Sequence, residues 1–345
     1  MAGSVRIAAL ATATPVVEAS LDQVWAALGE ARGRRMPRLS ATEGARVRHL
    51  AEPLSSLVAT RTQTQQTDAY LLHARALARK VCCDALDRSR IARERIGLVV
   101  GVSCTGVVLP SLDAELIPVL GLDRAVARLP ITELGCGGGV AGLARGVDYL
   151  RAYPDQAVLL FAVELPSLTF QPADHSIDNL IAAMVFGDGA GAMVLESADA
   201  ASGWMVDHCG THLIPEAAGR LGFELRDGGL RVVLSRDLPD VVEANLRQAV
   251  DSFLDGTGTR RQDLALLALH PGGPRIFEAV ARALDVDPGM LAPSRRVFER
   301  YGNASSAGIF FVLEELLTTR PDGKVLAIAF GPGLSIEMAL MRVTP

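Results

Sequence analysis

Ile131-Thr-Glu-Leu-Gly-Cys-Gly-Gly-Gly-Val-Ala-Gly-Leu143 sets one cysteine among five glycines, directly ahead of an apolar helical pattern. Apolar residues at Val140, Leu143, Val147 and Leu150 recur about once per helical turn, so the glycines form a tight turn and Cys136 sits at a helix N-terminus. Shifting the sequence by 167 residues brings this stretch onto a second small-residue turn, Tyr301-Gly-Asn-Ala-Ser-Ser-Ala-Gly308, with Cys136 landing on Asn303. The same shift places Val158-Leu159 on Val325-Leu326, each run preceded by a Pro-Asp turn, and Gly97–Val100 on Leu264–Leu267. Self-similarity at a fixed offset is the mark of two related halves. Thr67–Leu86 and Leu238–Leu254 read as amphipathic helices, whereas the short Val/Leu/Ala runs near 98, 159, 266 and 327 read as buried strands. The pattern predicts a layered α/β fold, split into a cysteine-bearing half over 1–200 and a second half over 201–345.

Composition excludes several classes of function. The chain has 345 residues, 49% hydrophobic and 21% charged, enough to bury a large core. A net charge of -5 with no basic stripe argues against a nucleic-acid partner. The longest apolar runs, such as 157–163, are far short of the ~20 residues that span a bilayer. The first ten residues lack the pattern of an export signal, so a cytoplasmic protein is expected. Five irregularly spaced cysteines do not form a disulfide framework. His208, Cys209 and His212 lie too close together for the usual zinc spacings, and no metal is expected. Gly187-Asp-Gly-Ala-Gly-Ala192 lacks dinucleotide-loop spacing and reads as a tight turn before the strand at 193–195. The basic run Arg32–Arg38 is a solvated face or a grip for phosphates.

A cysteine attacks as thiolate, and an ordinary thiol supplies only a few per cent of that form at neutral pH. A helix N-terminus and a nearby imidazole would both lower the thiol pKa of Cys136. His270 ends the strand Leu264–His270 and opens Pro271-Gly-Gly-Pro274, at the C-terminal strand edge where α/β proteins bind ligands. Asn303 offers an uncharged amide that can stabilise an enolate, or else a helix cap. The two related halves would bring all three side chains together.

Glu133-Leu-Gly-Cys136-Gly-Gly, Ser167-Leu-Thr-Phe-Gln171, Phe186-Gly-Asp-Gly-Ala-Gly, His270-Pro-Gly-Gly-Pro, Tyr301-Gly-Asn303-Ala-Ser-Ser-Ala and Phe330-Gly-Pro-Gly-Leu-Ser together carry a resemblance. Over nearly its whole length the chain resembles the type III polyketide synthases, relatives of chalcone synthase in the thiolase superfamily. That resemblance implies a homodimeric five-layered αβαβα thiolase-like fold and a catalytic Cys136, His270 and Asn303. It implies loading of an acyl coenzyme A starter on Cys136, iterative decarboxylative condensation with malonyl coenzyme A without an acyl carrier protein, and cyclisation to a pyrone or resorcinol-type product. No cofactor is implied beyond these thioester substrates. Phe186 matches a gatekeeper; Thr169, Cys104, Leu109 and Ser305 match cavity-lining positions, with Leu109 reaching across the dimer. Gly331, Pro332 and Gly333 match a loop that scaffolds the cyclisation chamber. Arg35 and Arg38 match residues that hold coenzyme A phosphates, while Thr42 occupies a third such position.

The chain departs from the plant enzymes at three positions: Ala329 replaces a glycine, Val232 a second gatekeeper phenylalanine, and Phe223 a glycine. The loops Ser103–Gly106 and Ser167–Phe170 look more like microbial alkylpyrone and alkylresorcinol synthases, which implies a fatty acyl starter. A β-ketoacyl synthase of the type III fatty-acid kind, or a non-catalytic acyl-binding relative, are the alternative readings.

Overall fold

A computed structural model describes residues 4–32, 45–198, 203–226, 228–319 and 321–344. The first half contains β1 (Ser4–Ala13), β2 (Val17–Ser20), α1 (Leu21–Arg32), β3 (Val47–Leu50), α2 (Leu54–Leu57), α3 (Gln63–Ser89), β4 (Ile96–Val102), α4 (Leu112–Val119), β5 (Ala127–Ile131), α5 (Gly138–Ala152), β6 (Ala157–Glu164), α6 (Ile177–Val185) and β7 (Gly189–Ala198). The second contains β8 (Gly203–Leu213), β9 (Leu221–Arg226), β10 (Gly229–Leu234), α7 (Leu238–Leu254), β11 (Leu264–Leu269), α8 (Pro274–Leu284), α9 (Ala292–Tyr301), α10 (Gly308–Thr319), β12 (Lys324–Gly331) and β13 (Ser335–Thr344).

Nine strands form one mixed sheet in the order β11-β12-β13-β8-β1-β7-β6-β4-β5. The order is nearly symmetric about β1 and β8: each half has a parallel pair, β4/β6 or β11/β12, followed by antiparallel strands leading to the centre. Strand side chains alternate between faces, and in β6 and β12 both faces are apolar, so these strands feed two cores. In β6, Val158, Leu160 and Ala162 face the central helices α5 and α10, whereas Leu159, Phe161 and Val163 face α3. In β12, Val325, Ala327 and Ala329 meet the same central core, and Leu326, Ile328 and Phe330 face α7 and α8. The result is the five-layered arrangement, with α5 and α10 buried between two sheet regions.

Local sequence explains the boundaries of these layers. Thr62 and Gln65 form a reciprocal cap at the start of α3. At Gly139 the close approach of the two halves leaves no room for a side chain: a Cβ would lie 2.5 Å from the Ser306 carbonyl oxygen. The turn expected at Gly187–Ala192 is shorter than its sequence suggests, because β7 already begins at Gly189. Gly189 and Gly191 run beneath Phe311 and Phe310 of α10, and those rings take the space that side chains would fill.

The internal offset holds for the strands but not for the turns. β6 and β12 are offset by 167 residues, as are the ends of α5 and α10. The short 3₁₀ turns ahead of those helices, Gly135–Gly137 and Ser305–Ala307, are offset by 170. The second helix is therefore three residues shorter, and Asn303 lies before its turn instead of within it.

Candidate active site

Cys136 lies in the 3₁₀ turn at the mouth of α5. Gly135 has φ of +46°, and a Cβ there would strike the Pro332 ring, so the Gly331–Gly333 loop packs directly on the nucleophile turn. His270 follows β11, with its amide donating to the Ile328 carbonyl at 2.8 Å. Asn303 is pinned by its main chain: its N–H donates to Val185 O at 2.8 Å and its carbonyl accepts from Gly187 N at 3.1 Å. Its side-chain oxygen accepts from Ser305 N at 2.8 Å. Cys136, His270 and Asn303 all line a single cleft of about 270 Å³, as the sequence pattern requires.

The electrostatics differ from the sequence expectation. Burial pushes the Cys136 thiol up to about 11, reinforced by the nearby Glu164 carboxyl and partly opposed by Ser305 and Asn303. Burial also pulls His270 down to about 4, with Asn303 offsetting part of the shift. Neither imidazole nitrogen meets a partner at hydrogen-bond geometry among the described residues. At rest the cleft thus holds a neutral thiol and a neutral imidazole; desolvation outweighs the helix N-terminus that was expected to create a thiolate.

Ser305 is a polar neighbour of the sulfur. Its hydroxyl lies 3.5 Å from Cys136 Sγ and 3.3 Å from Cys104 Sγ, on a backbone with φ of +45°, which is uncommon for a residue with a side chain. Cys104 and Ser305 are therefore buried against the sulfur and do not line the cleft. Beneath them lies Glu164, fully buried at the end of β6. It accepts from the Cys104 and Thr105 amides at 3.1 Å, from Thr105 Oγ1 at 2.7 Å, and from the Ser306 hydroxyl. Burial raises its pKa against these donors.

Phe186 separates two spaces, since it lines both the cleft and a second cavity bounded by Thr169, Phe170, Phe223 and Val232. That second cavity has only about 20 Å³ free. Leu109 is 94% exposed and borders a different cavity with Tyr70 and Ser103, away from Cys136. Arg35, Arg38 and Thr42, with most of the basic run around them, lie outside the described residues. His208 packs at a tilt against Phe253, and no group of three or more His, Cys, Asp or Glu that could hold a metal occurs among the described residues.

Sequence reading missed Glu164, Arg236 and Arg275. Glu164 had a signal: it is the single acid closing the otherwise apolar run 157–163. Arg236 and Arg275 are exposed at the rim of the cleft that holds the cysteine, and only Arg275, next to the Pro271–Pro274 turn, was placed by a motif.

Comparison with known proteins now identifies the family. The chalcone and stilbene synthase N-terminal domain matches residues 51–199, and the corresponding C-terminal domain matches 206–345. The chain belongs to the chalcone and stilbene synthase family. A 1,3,6,8-tetrahydroxynaphthalene synthase of Streptomyces peucetius subsp. caesius is 40% identical over 312 residues, covering 88% of this chain and 82% of the relative. A phloroglucinol synthase of Pseudomonas fluorescens is 30% identical over 310 residues, covering 88% and 87%. The solved structure of the bacterial type III polyketide synthase 1,3,6,8-tetrahydroxynaphthalene synthase from Streptomyces coelicolor A3(2) superposes with a TM-score of 0.93 at 28% identity, covering 99% of each chain. This type III polyketide synthase is an acyltransferase that carries out iterative decarboxylative Claisen condensation. No helix among its described residues is long and apolar enough to cross a membrane.

Proposed function

We propose that Cys136 is the nucleophile, that His270 and Asn303 are its catalytic partners, and that coenzyme A thioesters load this synthase directly, without a carrier protein. The convergence of the three side chains on one cleft carries the reading. When a thioester enters, His270 accepts the thiol proton as the sulfur attacks the carbonyl; the acyl group passes to sulfur and the coenzyme A thiolate leaves with that proton. For extension, His270 and the Asn303 amide donate to the malonyl thioester oxygen. Cleavage of the carboxylate carbon–carbon bond releases carbon dioxide and leaves its electron pair as an enolate, which attacks the acyl-cysteine carbonyl and expels the Cys136 thiolate. Fixed donors in a dry site favour that developing charge.

Arg35 and Arg38, together with Arg236 and Arg275 at the rim, supply the positive charge for the coenzyme A phosphates; no other cofactor is required. The enzyme acts as a cytoplasmic homodimer, with the exposed Leu109 loop at its interface. Phe186 gates the passage from cleft to chamber, and the Gly331–Gly333 loop braces the turn that carries Cys136.

The starter is short. The roughly 20 Å³ behind Phe186 admits about one water, because Phe170 and Phe223 fill the space an alkyl tail would need. This favours a malonyl-derived, tail-free aromatic product over the fatty acyl starter suggested by the loop motifs, and agrees with a naphthalene-producing relative at 40% identity. Product mass spectrometry with malonyl coenzyme A alone and with starters from acetyl to dodecanoyl tests both levels. Polyketide formation from malonyl coenzyme A alone, with no gain from long starters, is the expected result. Turnover only with long acyl chains would overturn the short-starter reading, and a requirement for acyl carrier protein would overturn direct loading.

A further inference from the structure

Arg48 is the largest fully buried side chain among the described residues, 0% exposed, and none of the described carboxylates forms an ion pair with it. Burial lowers its guanidinium to about 9, so it remains a cation at neutral pH. A buried cation without a counter-ion is costly, and a leucine of β3 would fill the same core more cheaply. What arginine supplies here is one directed contact: Nε donates to the Phe186 carbonyl at 3.0 Å, while the two terminal nitrogens meet no acceptor among the described residues.

That carbonyl belongs to a short ladder ending at the site. Phe186 and Asn303 form a parallel bridge, with Asn303 N donating to Val185 O and Gly187 N donating to Asn303 O. The ladder is tight: a Cβ on Gly187 would lie 2.3 Å from Tyr301 O, and one on Gly302 would lie 2.8 Å from Val185 O. β3 holds the other edge of the same segment, since Asp188 N donates to His49 O at 2.8 Å and Ala51 N donates to the Asp188 carboxylate at 2.6 Å. Cys136, by contrast, lies in the turn ahead of α5 and makes no main-chain hydrogen bond to this ladder, meeting it only through the Asn303 side chain.

We infer that Arg48 is a positioning residue for the condensation chemistry, fixing the Phe186 carbonyl and through it the placement of the Asn303 amide. The inference rests on the proposed role of Asn303. It makes an asymmetric prediction, because the arginine bonds to the main chain that carries Asn303 and not to the turn that carries the sulfur.

The test uses the full chain and reads three quantities: thermal midpoint, kcat for malonyl coenzyme A decarboxylation, and the rate of Cys136 alkylation by iodoacetamide. Arg48→Lys keeps the buried charge and loses the planar Nε–H. The expected result is a fall in kcat of about 10- to 100-fold, the scale for misplacing a reacting group by about an ångström, with alkylation changed less than about twofold. In an Asn303→Ala background the same substitution should cost less than about twofold, because two residues acting through one step are not additive. Equal losses in both backgrounds, or a parallel fall of kcat and alkylation, would assign Arg48 to plain stability and overturn the inference. If Arg48→Lys does not fold, Gly302→Ala strains the same ladder with Arg48 intact and is judged by the same split. Failure of the wild type to decarboxylate malonyl coenzyme A would instead defeat the functional reading.

Discussion

The two halves share a strand scaffold yet present opposite chemistry. β6 and β12 lie at one offset, and both sheet regions press on the same central helices, but the turns at the helix mouths differ by three residues. In the first half the turn and α5 hold a sulfur over the helix N-terminus. In the second, the shorter α10 leaves Asn303 in extended chain, where it bonds to Val185 and Gly187 across the halves. In the proposed mechanism one half supplies the group that must react and be regenerated; the other supplies donors that must stay fixed. A duplicated scaffold thus yields complementary parts through a local change in turn length.

The largest effects should separate those parts. Cys136→Ala is expected to abolish acyl labelling and lower product formation by roughly 10³ or more, the scale for losing a nucleophile. Asn303→Ala, which removes one enolate donor, should cost about 10² to 10³ in malonyl decarboxylation but leave Cys136 open to acylation. Intact acyl labelling in Asn303→Ala, read by mass spectrometry of the trapped acyl-enzyme, checks the division. If both substitutions abolish labelling alike, the halves do not divide the work in this way.

Much of this division was legible in the chain itself. Strand positions, the buried character of 157–163, the span of α7 and the convergence of Cys136, His270 and Asn303 follow from periodicity, the internal offset and the motif resemblance. The sign of the thiol shift was not legible. A helix N-terminus can be read from glycine spacing, but desolvation depends on which side chains of other elements close over the sulfur, and Glu164 and Ser305 come from β6 and the turn before α10. Arg48 was equally hidden, because one arginine in Val47–Leu50 looks like a surface residue until β3 is docked on the Phe186 segment. Chamber size was hidden for the same reason: Phe223 and Val232 sit on a hairpin whose approach to Phe186 is a tertiary fact.

A medium effect follows from the electrostatic contrast between the halves. With the thiol near 11 and the imidazole near 4, both groups are neutral between those values in the resting enzyme. Thiolate then grows about tenfold per pH unit until the thiol pKa is reached. The alkylation rate of free enzyme should climb steadily from pH 7 to 10. A resting thiolate–imidazolium pair would instead give a flat rate across that range, so a plateau already present at pH 7 would refute the neutral pair.

The smallest effect concerns Ser305, which touches the sulfur of one half from the turn of the other. Its contact with Cys136 Sγ lowers the thiol pKa, against the dominant effect of burial. Removing the hydroxyl in Ser305→Ala should slow alkylation a few-fold at pH 8 and move the whole rate profile upward in pH. Ser305→Gly removes the same hydroxyl but also relieves the positive φ, so it should slow alkylation equally while stabilising the fold by up to about 1 kcal/mol, as glycine does where a left-handed conformation is imposed. Agreement of the two variants in alkylation with divergence in thermal midpoint assigns the hydroxyl to the sulfur and the strain to the backbone. Equal alkylation by wild type and both variants would mean that the 3.5 Å contact carries no influence on the thiol.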